Sequence, residues 1–410
     1  MNKTQNTNTK QTQNIPQLRF PEFYGEWIEK KLGEIGEYIG GGTPDTSVIE
    51  YWQGDIPWVS SSDIFEDSIH KIVKTRFITK KAIEGSATKL VPKGSILMVS
   101  RVGIGKFAIA DEELCTSQDF TNLITTENEY FLGYYFKSKS NRFVSLSQGT
   151  SIKGFTTKDI KSAKFSIPTK PEEQTKIANF LTTVDKRINL LQKKKAELEQ
   201  YKKGVMQKLF SQSIRFKDDN GNDFPEWEEK KLGEVCEIIG GGTPDTTKKE
   251  YWNGEINWFT PTEIKQKYIK SSLRKISQLG IQKSSARLLS KGTLLFTSRA
   301  TIGDVGISQE ECTTNQGFQS FVPNNNYVTE FLYYWLKINK TAFIKKSSGS
   351  TFIEISKSEI QKMSINFPCK EEQQKIATFL SALDKKIEKT GQQIAASQQW
   401  KQGLLQKMFV

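Results

Sequence analysis

Few residues of this chain are of types that could perform acid–base, nucleophilic or metal chemistry. The sequence contains one histidine, His70, which excludes an HExxH zinc motif and argues against a histidine-based catalytic triad. A lone histidine more often serves at the surface or in the core. The four cysteines lie far apart, without a CxxC pair or an adjacent histidine, at Cys115, Cys236, Cys312 and Cys369. This spacing predicts reduced thiols and no metal site.

Glycine-rich segments could in principle bind phosphate groups. Val102–Lys106 contains GxG, but no third glycine follows at the dinucleotide-binding spacing, and no GxxxxGK(S/T) loop occurs. Gly40–Gly42 and Gly240–Gly242 are each followed by Thr-Pro, and the proline removes a backbone donor that a phosphate cradle needs. We predict tight turns there, in which the backbone approaches another group closely. Because the chain also lacks an Asp-Pro-Pro-Tyr methyltransferase motif and a nuclease carboxylate cluster, we predict a recognition protein with no catalysis and no cofactor of its own.

The charge balance favours a polyanionic partner. Lys and Arg number 59 against 46 Asp and Glu, which gives the 410 residues a net charge of +13. Nucleic acid is the commonest such partner, although an acidic membrane surface would meet the same electrostatics. No apolar run reaches the roughly 18 residues of a membrane span, and residues 1–17 are rich in Asn, Thr and Gln. We expect a soluble, cytoplasmic protein with a disordered tail and no membrane partner.

Nearly the whole chain consists of two copies of one unit. Trp27 corresponds to Trp227, and the seven residues Gly40–Thr46 recur as Gly240–Thr246. A period of about 200 residues is too long for a solenoid and indicates domain duplication. Short apolar runs between turn residues, with a few short helical stretches, predict a compact α/β domain in each copy. The predicted strands include Ser95–Val99 and Thr293–Thr297, and the predicted helices include Tyr130–Lys137 and Val328–Lys337.

The last 40 or so residues of each copy have a helical pattern. Pro171 followed by two acidic residues is a favourable helix start, and an apolar residue recurs every seven positions from Ile177 to Val205. This pattern is typical of a coiled-coil seam. The second copy starts at Glu371 and has a weaker seam in its middle. We expect the two helices to pack antiparallel on each other; the alternative is that each packs on its own domain.

The predicted fold is of the α+β class. It has two similar α/β domains separated by two long antiparallel coiled-coil helices, with a pseudo-twofold internal duplication. The predicted segments are a tail at 1–17, a first domain at 18–170, a helical spacer at 171–212, a second domain at 213–369 and a C-terminal helix at 370–410.

Comparison of the copies separates scaffold from candidate DNA contacts. Segments alike in both copies more often serve folding or shared backbone contacts, whereas differing segments should carry different base preferences. Arg101 and Arg299 follow apparent strands and are our candidate phosphate contacts, while Gln118 and Gln316 either contact bases or close a turn. Any single residue of this set is more often a solvated surface group. The predicted DNA-contacting residues are Thr43, Ser60, Ser61, Ser62, Lys71, Lys74, Arg76, Lys89, Arg101 and Gln118 in the first copy, and Thr243, Thr260, Thr262, Lys265, Lys267, Arg274, Arg287, Arg299 and Gln316 in the second.

Several motifs recur in the same order in both halves. In the first half they are Arg19–Phe23, Trp27, Lys31–Glu34, the Gly-Gly-Thr-Pro turn, Trp58, Lys93–Arg101 and the terminal EEQxKIAxFL helix. Together they resemble one half of the specificity subunit of type I restriction-modification enzymes. The resemblance spans nearly the full chain, and its motifs are specific in combination.

The resemblance implies a protein that recognises double-stranded DNA for partner enzymes. Two target recognition domains would each read one half of a split, asymmetric site, and the helices would set the spacer and dock two modification subunits. Those partners would bind S-adenosylmethionine and methylate adenine N6, while restriction subunits would use ATP and Mg and cleave unmethylated DNA. The helix residues assigned to docking are Ile177, Phe180, Leu181, Val184, Ile188, Ile376, Phe379, Leu380, Leu383 and Ile387.

Two other classes of function remain open on the residues alone. A stand-alone DNA-binding regulator would bind its site without an enzyme partner, so co-purification with a methyltransferase separates it from a specificity subunit. A basic protein-interaction scaffold would protect no particular sequence in a footprinting assay.

Overall fold

The computed structural model describes residues 14–147, 154–349 and 353–410. The predicted disordered tail falls mainly on residues 1–13, which lie outside these ranges. The chain forms two compact units. The first contains the described residues up to Gln192 together with Gln392–Val410, and the second is Lys193–Gly391. Each unit thus combines one sequence copy with one part of each long helix, whereas the predicted segments were continuous in sequence.

The first unit is built from short strands, short helices and 3₁₀ turns. Its strands are β1 (Ile28–Lys31), β2 (Gly36–Gly40), β3 (Ile56–Val59), β4 (Phe77–Ile78), β5 (Leu90–Val91), β6 (Ile96–Val99), β7 (Phe107–Ile109), β8 (Leu114–Thr116), β9 (Phe120–Thr125) and β10 (Lys164–Ile167). Its short helices are α1 (Lys80–Glu84), α2 (Glu129–Ser138), α3 (Ser140–Ser145) and α4 (Thr157–Ser162), and its 3₁₀ turns are Leu32–Glu34, Ile49–Trp52 and Ser61–Asp63. The long helix α5 (Pro171–Phe210) begins at the predicted proline.

Three sheets organise the first unit. One has the order β2-β9-β6-β7 and is antiparallel, another has the order β4-β3-β8-β5 with β3 and β8 parallel, and β1 pairs antiparallel with β10. All four residues of β6 are buried. Its side chains alternate between two apolar clusters, with Ile96 and Met98 in one and Leu97 and Val99 in the other. A strand buried on both faces needs a continuous apolar run, which is why Ser95–Val99 could be predicted.

The second unit repeats this architecture. Its strands are β11 (Glu228–Lys231), β12 (Cys236–Gly240), β13 (Trp252–Phe259), β14 (Tyr268–Ile269), β15 (Arg274–Ile276), β16 (Leu294–Phe296), β17 (Val305–Ser308), β18 (Cys312–Thr314), β19 (Gln319–Pro323) and β20 (Ser364–Phe367). Its short helices are α6 (Leu232–Val235), α7 (Gln278–Gln282), α8 (Thr329–Ile338), α9 (Lys340–Lys345) and α10 (Lys357–Lys362), and its 3₁₀ turns are Lys249–Tyr251 and Pro261–Glu263. The sheets have the orders β12-β19-β16-β17-β14, β15-β13-β18 and β11-β20. The second long helix, α11, is Lys370–Met408.

Parts of both long helices pack together inside each unit. In the second unit, Lys202 of α5 forms an ion pair with Asp384 of α11, and the side chain of Lys195 lies beside Gly391. From Lys195 to Lys202 the residue numbers of α5 rise, while those of their contacts on α11 fall from Gly391 to Asp384. The two helices are therefore antiparallel, as predicted. In the first unit, Ile177 and Leu181 share the core cluster with Leu404 and Met408.

The helices also pack on the sheet-containing part of their own unit. The cluster that holds Ile177 and Leu404 includes Phe131 and Tyr135 of α2. The tyrosine ring stacks on Phe409 with ring centroids 5.0 Å apart. The two arrangements weighed from the sequence therefore occur together, because each helix segment buries one side on its partner helix and another on the domain. Among the described residues, no helix is both long and apolar enough to span a membrane.

A buried glutamate fastens each long helix to the start of its sequence copy. The carboxylate of Glu173 accepts from Nε and Nη2 of Arg19 at 2.7 and 2.8 Å and from Trp27 Nε1 at 3.2 Å. In the second unit, Glu372 accepts from Arg215 at 3.2 and 2.8 Å and from Trp227 at 3.0 Å. Both carboxylates are almost inaccessible, with 2% and 0% of the side chain exposed. The recurring Arg-Phe, Trp and Glu-Glu-Gln motifs therefore have a structural basis.

An aspartate joins the helix pair to the domain in each unit, buried in the first unit and half-buried in the second. In the first unit, Asp185 accepts from Tyr134 Oη at 2.7 Å and pairs with Lys401 at 2.6 Å, while His70 Nε2 lies 2.7 Å from the tyrosine oxygen. Burial opposes ionisation of Asp185, but His70, Lys401 and Tyr134 outweigh it and lower its pKa. In the second unit, the aspartate, tyrosine and lysine are Asp384, Tyr334 and Lys202, and Lys267 replaces the histidine.

Candidate nucleic-acid interface

Four loop segments meet in the first unit, and we call them the first loop edge. They are residues 40–46, 60–63, 100–106 and 117–119. The bonds that join them are Gly42 N to Thr116 O at 2.8 Å, Ser117 N to Val59 O at 2.9 Å, Ser100 N to Asp119 O at 2.7 Å and Lys106 Nζ to Ser61 O at 3.2 Å. Strand ends of both four-stranded sheets supply these segments, so the sheets position the edge.

The second loop edge has the same construction. Its segments are residues 240–246, 260–263, 298–304 and 315–317. The bonds that join them are Gly242 N to Thr314 O at 2.8 Å, Asn315 N to Phe259 O at 3.0 Å and Ser298 N to Gly317 O at 2.8 Å. Segments that are far apart in the sequence of each copy therefore meet through matching backbone bonds in both units.

The predicted tight turn at each glycine triplet is wrong, because the glycines end a strand and continue as irregular extended chain, with the turn following at residues 46–47 and 246–247. The predicted close approach of the glycine backbone to another group does occur. A side chain on Gly41 would overlap the carbonyl oxygen of Ser117, and one on Gly42 would overlap the backbone at Thr88. Trp58 Nε1 donates to Gly42 O at 2.9 Å, and Trp258 donates to the matching carbonyl at the same distance. The group that the glycines approach is therefore the protein's own backbone, and the tryptophans belong to the scaffold.

An exposed hydroxyl–amide pair lies on each edge. Thr43 Oγ1 hydrogen-bonds to Gln118 Oε1, and Thr243 Oγ1 donates to Gln316 Oε1 at 2.6 Å. When the amide oxygen accepts from threonine, the amide nitrogen keeps two donors for another acceptor. The structure thus brings these predicted residues together in both units. Such donors suit phosphate oxygens and base edges alike.

An arginine stacks on tryptophan beside each edge. The guanidinium carbon of Arg76 lies 4.5 Å from the Trp58 ring centroid, and that of Arg274 lies 3.5 Å from the Trp252 ring centroid. Arg76 also donates to Ser60 Oγ at 2.7 Å and pairs with Asp63. Arg76 therefore stabilises the 60–63 turn, and its contact with DNA remains a prediction.

Other predicted contacts of the two edges differ in accessibility. Ser62, Lys89, Thr262, Lys265 and Arg287 are exposed, and Ser60 and Thr260 are half-buried. Lys89 and Arg287 follow Thr88 and Ala286, whose backbone packs against Gly42 and Gly242. These positions are compatible with the predicted role but do not test it.

Some predicted contacts are engaged within the protein. Ser61 is buried, with 9% of its surface exposed, so its side chain is a poor candidate for a DNA contact. Lys74 pairs with Asp111 and Glu112, and although burial lowers its pKa, these partners raise it above the usual value. Lys267 donates to Tyr334 at 2.9 Å and to Ser381 at 2.8 Å, and burial lowers its pKa to about 8. Lys71 lies over the Phe65 ring at 4.1 Å and remains exposed.

The helix residues assigned to docking lie mostly in intrachain cores. Seven of the ten are buried: Ile177, Leu181, Val184, Ile188, Ile376, Leu380 and Leu383. Phe180, Phe379 and Ile387 are half-buried. Buried side chains cannot form a partner's contact surface, so the sequence pattern identified the seam between the helices and the domain rather than an exposed docking surface.

Sequence reasoning missed several residues of this site. Lys106 joins the first edge by its bond to Ser61, and Glu354 forms an ion pair with Arg299, with Nε and Oε2 2.8 Å apart.

Outside the loop edges, the sequence did contain a signal for the buried Asp185, because this aspartate matches Asp384 in the other copy. Its ion pairs were not predictable, because they connect residues that are distant in the sequence.

The described residues contain no group of three or more His, Cys, Asp and Glu side chains that could hold a metal ion. Burial raises the pKa of Cys115 to about 11 and those of Cys236 and Cys312 to about 12. These thiols are therefore protonated at neutral pH. The edges offer amides, hydroxyls and guanidinium groups, which are suited to binding.

A protein with two similar mixed α/β domains, each joined to an antiparallel helix pair and each carrying a polar loop edge, has the architecture of a duplicated recognition protein. The family model described as the type I restriction modification DNA specificity domain matches residues 24–200 and 225–396. The chain belongs to this family and contains two copies of its domain, which confirms the duplication.

Two relatives of similar sequence are named as specificity subunits of type I restriction enzymes. The MjaIX specificity subunit of a type I restriction enzyme from Methanocaldococcus jannaschii is 41% identical over 44% of this chain and 43% of its own length. The MjaVIII specificity subunit of the same organism is 26% identical over 90% of this chain and 88% of its own length. The chain thus aligns with less than half of the first relative and most of the second.

A solved structure shows the same fold. The S subunit of a type I restriction-modification system from M. genitalium superposes with a TM-score of 0.60 at 17% identity, covering 97% of this chain and 99% of that one. At this identity the likeness concerns the fold alone.

Proposed function

We propose that this chain is the DNA specificity subunit of a type I restriction-modification complex. Each unit reads one half of a bipartite, asymmetric site in double-stranded DNA through its loop edge. The helices set the spacer and dock two modification subunits, which supply S-adenosylmethionine-dependent methylation of adenine N6. The chain performs no catalysis, and ATP and Mg belong to restriction subunits.

The observation that carries the proposal is that each unit has a loop edge of the same construction. In both units a tryptophan, Trp58 or Trp258, donates a hydrogen bond to the glycine segment, and exposed polar side chains lie beside it. Between the scaffold residues, the two edges differ, with Ser62 in one where Thr262 stands in the other. A fixed frame with variable exposed groups is what two readers of different half-sites require. The net charge of +13 supports binding to the DNA backbone.

Methylation mapping tests the proposal directly. The chain is expressed with its modification subunits in a cell without other methyltransferases, and methylated adenines are located across the genome. We expect one bipartite motif. Gln118→Ala should relax or weaken recognition of one half only, and Gln316→Ala should affect the other half only. Lys158→Ala, an exposed change on α4 outside both edges, serves as the control.

Two results would contradict this assignment. A single continuous motif, or loss of both half-sites from either glutamine change, would mean that the units do not read separately. Specific binding by the purified chain without any modification subunit, together with no change in methylation, would favour the stand-alone regulator.

The spacer role has its own test. Seven residues of helical sequence are inserted between Gln192 and Lys193 and again between Gly391 and Gln392, so that each compact unit stays intact. One heptad adds about 10.5 Å of helix, or about three base pairs at 3.4 Å each. We expect the gap in the methylated motif to lengthen by about three base pairs while both half-sites stay the same. An unchanged gap in a folded variant would remove the ruler from the proposal.

A further inference from the structure

The arginines that begin the matching loops of the two edges, Arg101 and Arg299, have different surroundings. We propose that Arg299, oriented by Glu354, reads a guanine in the half-site of the second unit, whereas Arg101 contacts a DNA phosphate. The inference rests on the proposed function and assigns different roles to residues that the sequence had treated alike. Glu354 is accordingly a positioning residue for base recognition.

The two arginines occupy the same backbone frame. Phe155 N donates to Ser100 O at 3.1 Å in the first unit, and Ile355 N donates to Ser298 O at 3.1 Å in the second. The residue before each of these donors therefore faces the arginine that follows each serine. That residue is Gly154 in the first unit and Glu354 in the second.

In the second unit, a carboxylate lies against one side of the guanidinium. Arg299 Nε lies 2.8 Å from Glu354 Oε2 in an ion pair whose geometry does not form a hydrogen bond. The Nε atom is inaccessible to solvent, although 42% of the arginine side chain is exposed. The exposed surface therefore lies away from the Nε atom. Backbone pairing of Arg299 with Glu354 as an isolated antiparallel bridge fixes the pair further.

In the first unit, no carboxylate takes this place. Gly154 lies against the aliphatic part of Arg101, since a Cβ there would lie 3.1 Å from Arg101 Cγ. Arg101 is exposed, and among the described residues it forms no ion pair.

Chemistry assigns the roles from this contrast. Recognition of guanine needs two parallel N–H donors aimed at O6 and N7, so an arginine that a neighbouring carboxylate already restrains loses less entropy on binding. Its paired carboxylate also reduces the net charge, which weakens a contact that depends on charge alone. A phosphate contact needs charge rather than a fixed plane, and the unpaired Arg101 suits it better.

The test uses the full chain assembled with its modification subunits. Binding is measured on duplexes in which each base pair of both half-sites is replaced in turn, at several salt concentrations. We expect Arg299→Lys and Glu354→Ala to reduce discrimination at one G·C pair of the second half-site by roughly 5- to 100-fold. Recognition of the first half-site, which reports correct folding, should not change.

The matched variant in the other unit is Arg101→Lys, together with Arg101→Ala. We expect Arg101→Ala to weaken binding to all duplexes by a similar factor and to reduce the salt slope by about one. Arg101→Lys keeps the charge and should have little effect on binding. Arg299→Lys also keeps the charge but loses the planar pair of donors, so discrimination at the G·C pair should still fall. Lysine thus separates a charge contact from a planar one.

The inference is overturned if Glu354→Ala raises affinity for every duplex alike and steepens the salt dependence, because the carboxylate then only lowers the charge. It is also overturned if Arg299→Ala weakens all duplexes equally, or if both second-unit variants keep full discrimination. A wild-type complex without any sequence preference would overturn the proposed function itself, and this inference with it.

Discussion

Neutralising the buried glutamate at the start of a long helix should destabilise its unit far more than neutralising the exposed glutamate beside it. In the second unit the buried residue is Glu372, which receives two bonds from Arg215 and one from Trp227. Its exposed neighbour is Glu371. Glu372→Gln keeps the volume but leaves the guanidinium with only the exposed Glu226, 3.4 Å away, as a counter-charge.

The magnitude follows from the burial. Breaking a buried ion pair by removing one partner costs about 3–5 kcal/mol. Arg215 keeps bonds to the carbonyls of Phe224 and Pro225, which places the expected loss near the lower figure. For a unit of about 200 residues, each kcal/mol lowers the melting temperature by about 2–4 °C, so we expect a decrease of about 6–12 °C. Glu371→Gln, which loses only the favourable interaction with the helix dipole, should cost less than about 1 kcal/mol.

Differential scanning calorimetry and urea unfolding measure the two variants, and hydrogen exchange of Lys193–Gly391 shows whether the loss is in this unit. The pair Glu173→Gln and Glu172→Gln repeats the comparison in the first unit. Equal shifts for the buried and exposed variants would refute the reasoning. So would a large loss in Arg215→Met/Glu372→Leu, because that double variant leaves no buried charge unpaired and Glu226 is exposed to solvent.

Further outcomes follow from other contacts. Gly41→Ala should cost about 1–3 kcal/mol in urea unfolding because its side chain overlaps a carbonyl, whereas Gly40→Ala, with open space around it, should cost under about 1 kcal/mol; equal costs would contradict this. The lowered pKa of Lys267, about 8 against an ordinary 10.5, means that the unfolded chain holds the extra proton between these pH values, so stability should rise as pH increases through this range, and Lys267→Met should remove that part of the rise; an unchanged pH slope would show that the lysine is not responsible. Asp185→Asn should leave the buried Lys401 without its charge partner and cost about 3 kcal/mol by calorimetry. Because the pKa of Asp185 lies below its ordinary value, its contribution in the wild type is present above that value and lost as pH falls, so the variant and wild type should converge in acid.

Patterns within one segment predicted the secondary structure well. The apolar run at Ser95–Val99 became β6, and the proline and acidic residues at Pro171 mark the first residue of α5. Each of these signals depends on residues that are neighbours in sequence, so local chemistry was sufficient. The glycines correctly predicted a close approach of the backbone, but neither the group that they approach nor the absence of a turn at these residues was predictable.

Side-chain partners were less predictable because they come from distant segments. The heptad pattern correctly identified the seam, yet it could not show that Leu181 would be buried within the chain and unavailable to a partner. Likewise, the charge of Lys74 was visible, but its partners Asp111 and Glu112 were not. The charge and residue type of a side chain therefore identify it as a candidate DNA contact. Only the fold shows whether that side chain is already paired within the protein.

Duplication changes what can be learned from a single sequence. Residues that match between the copies, such as Glu173 and Glu372, form the same buried bonds in both units, so the match reflects a shared folding requirement. Each edge is closed by backbone bonds within its own unit, and a substitution there meets only local constraints. Exposed positions at which the copies differ are consequently free to vary without loss of the frame. The change from the half-buried Gly154 to the half-buried Glu354 alters the surroundings of one arginine while the strands that present it stay the same. Under the proposed function, this is how one scaffold would serve two different half-sites.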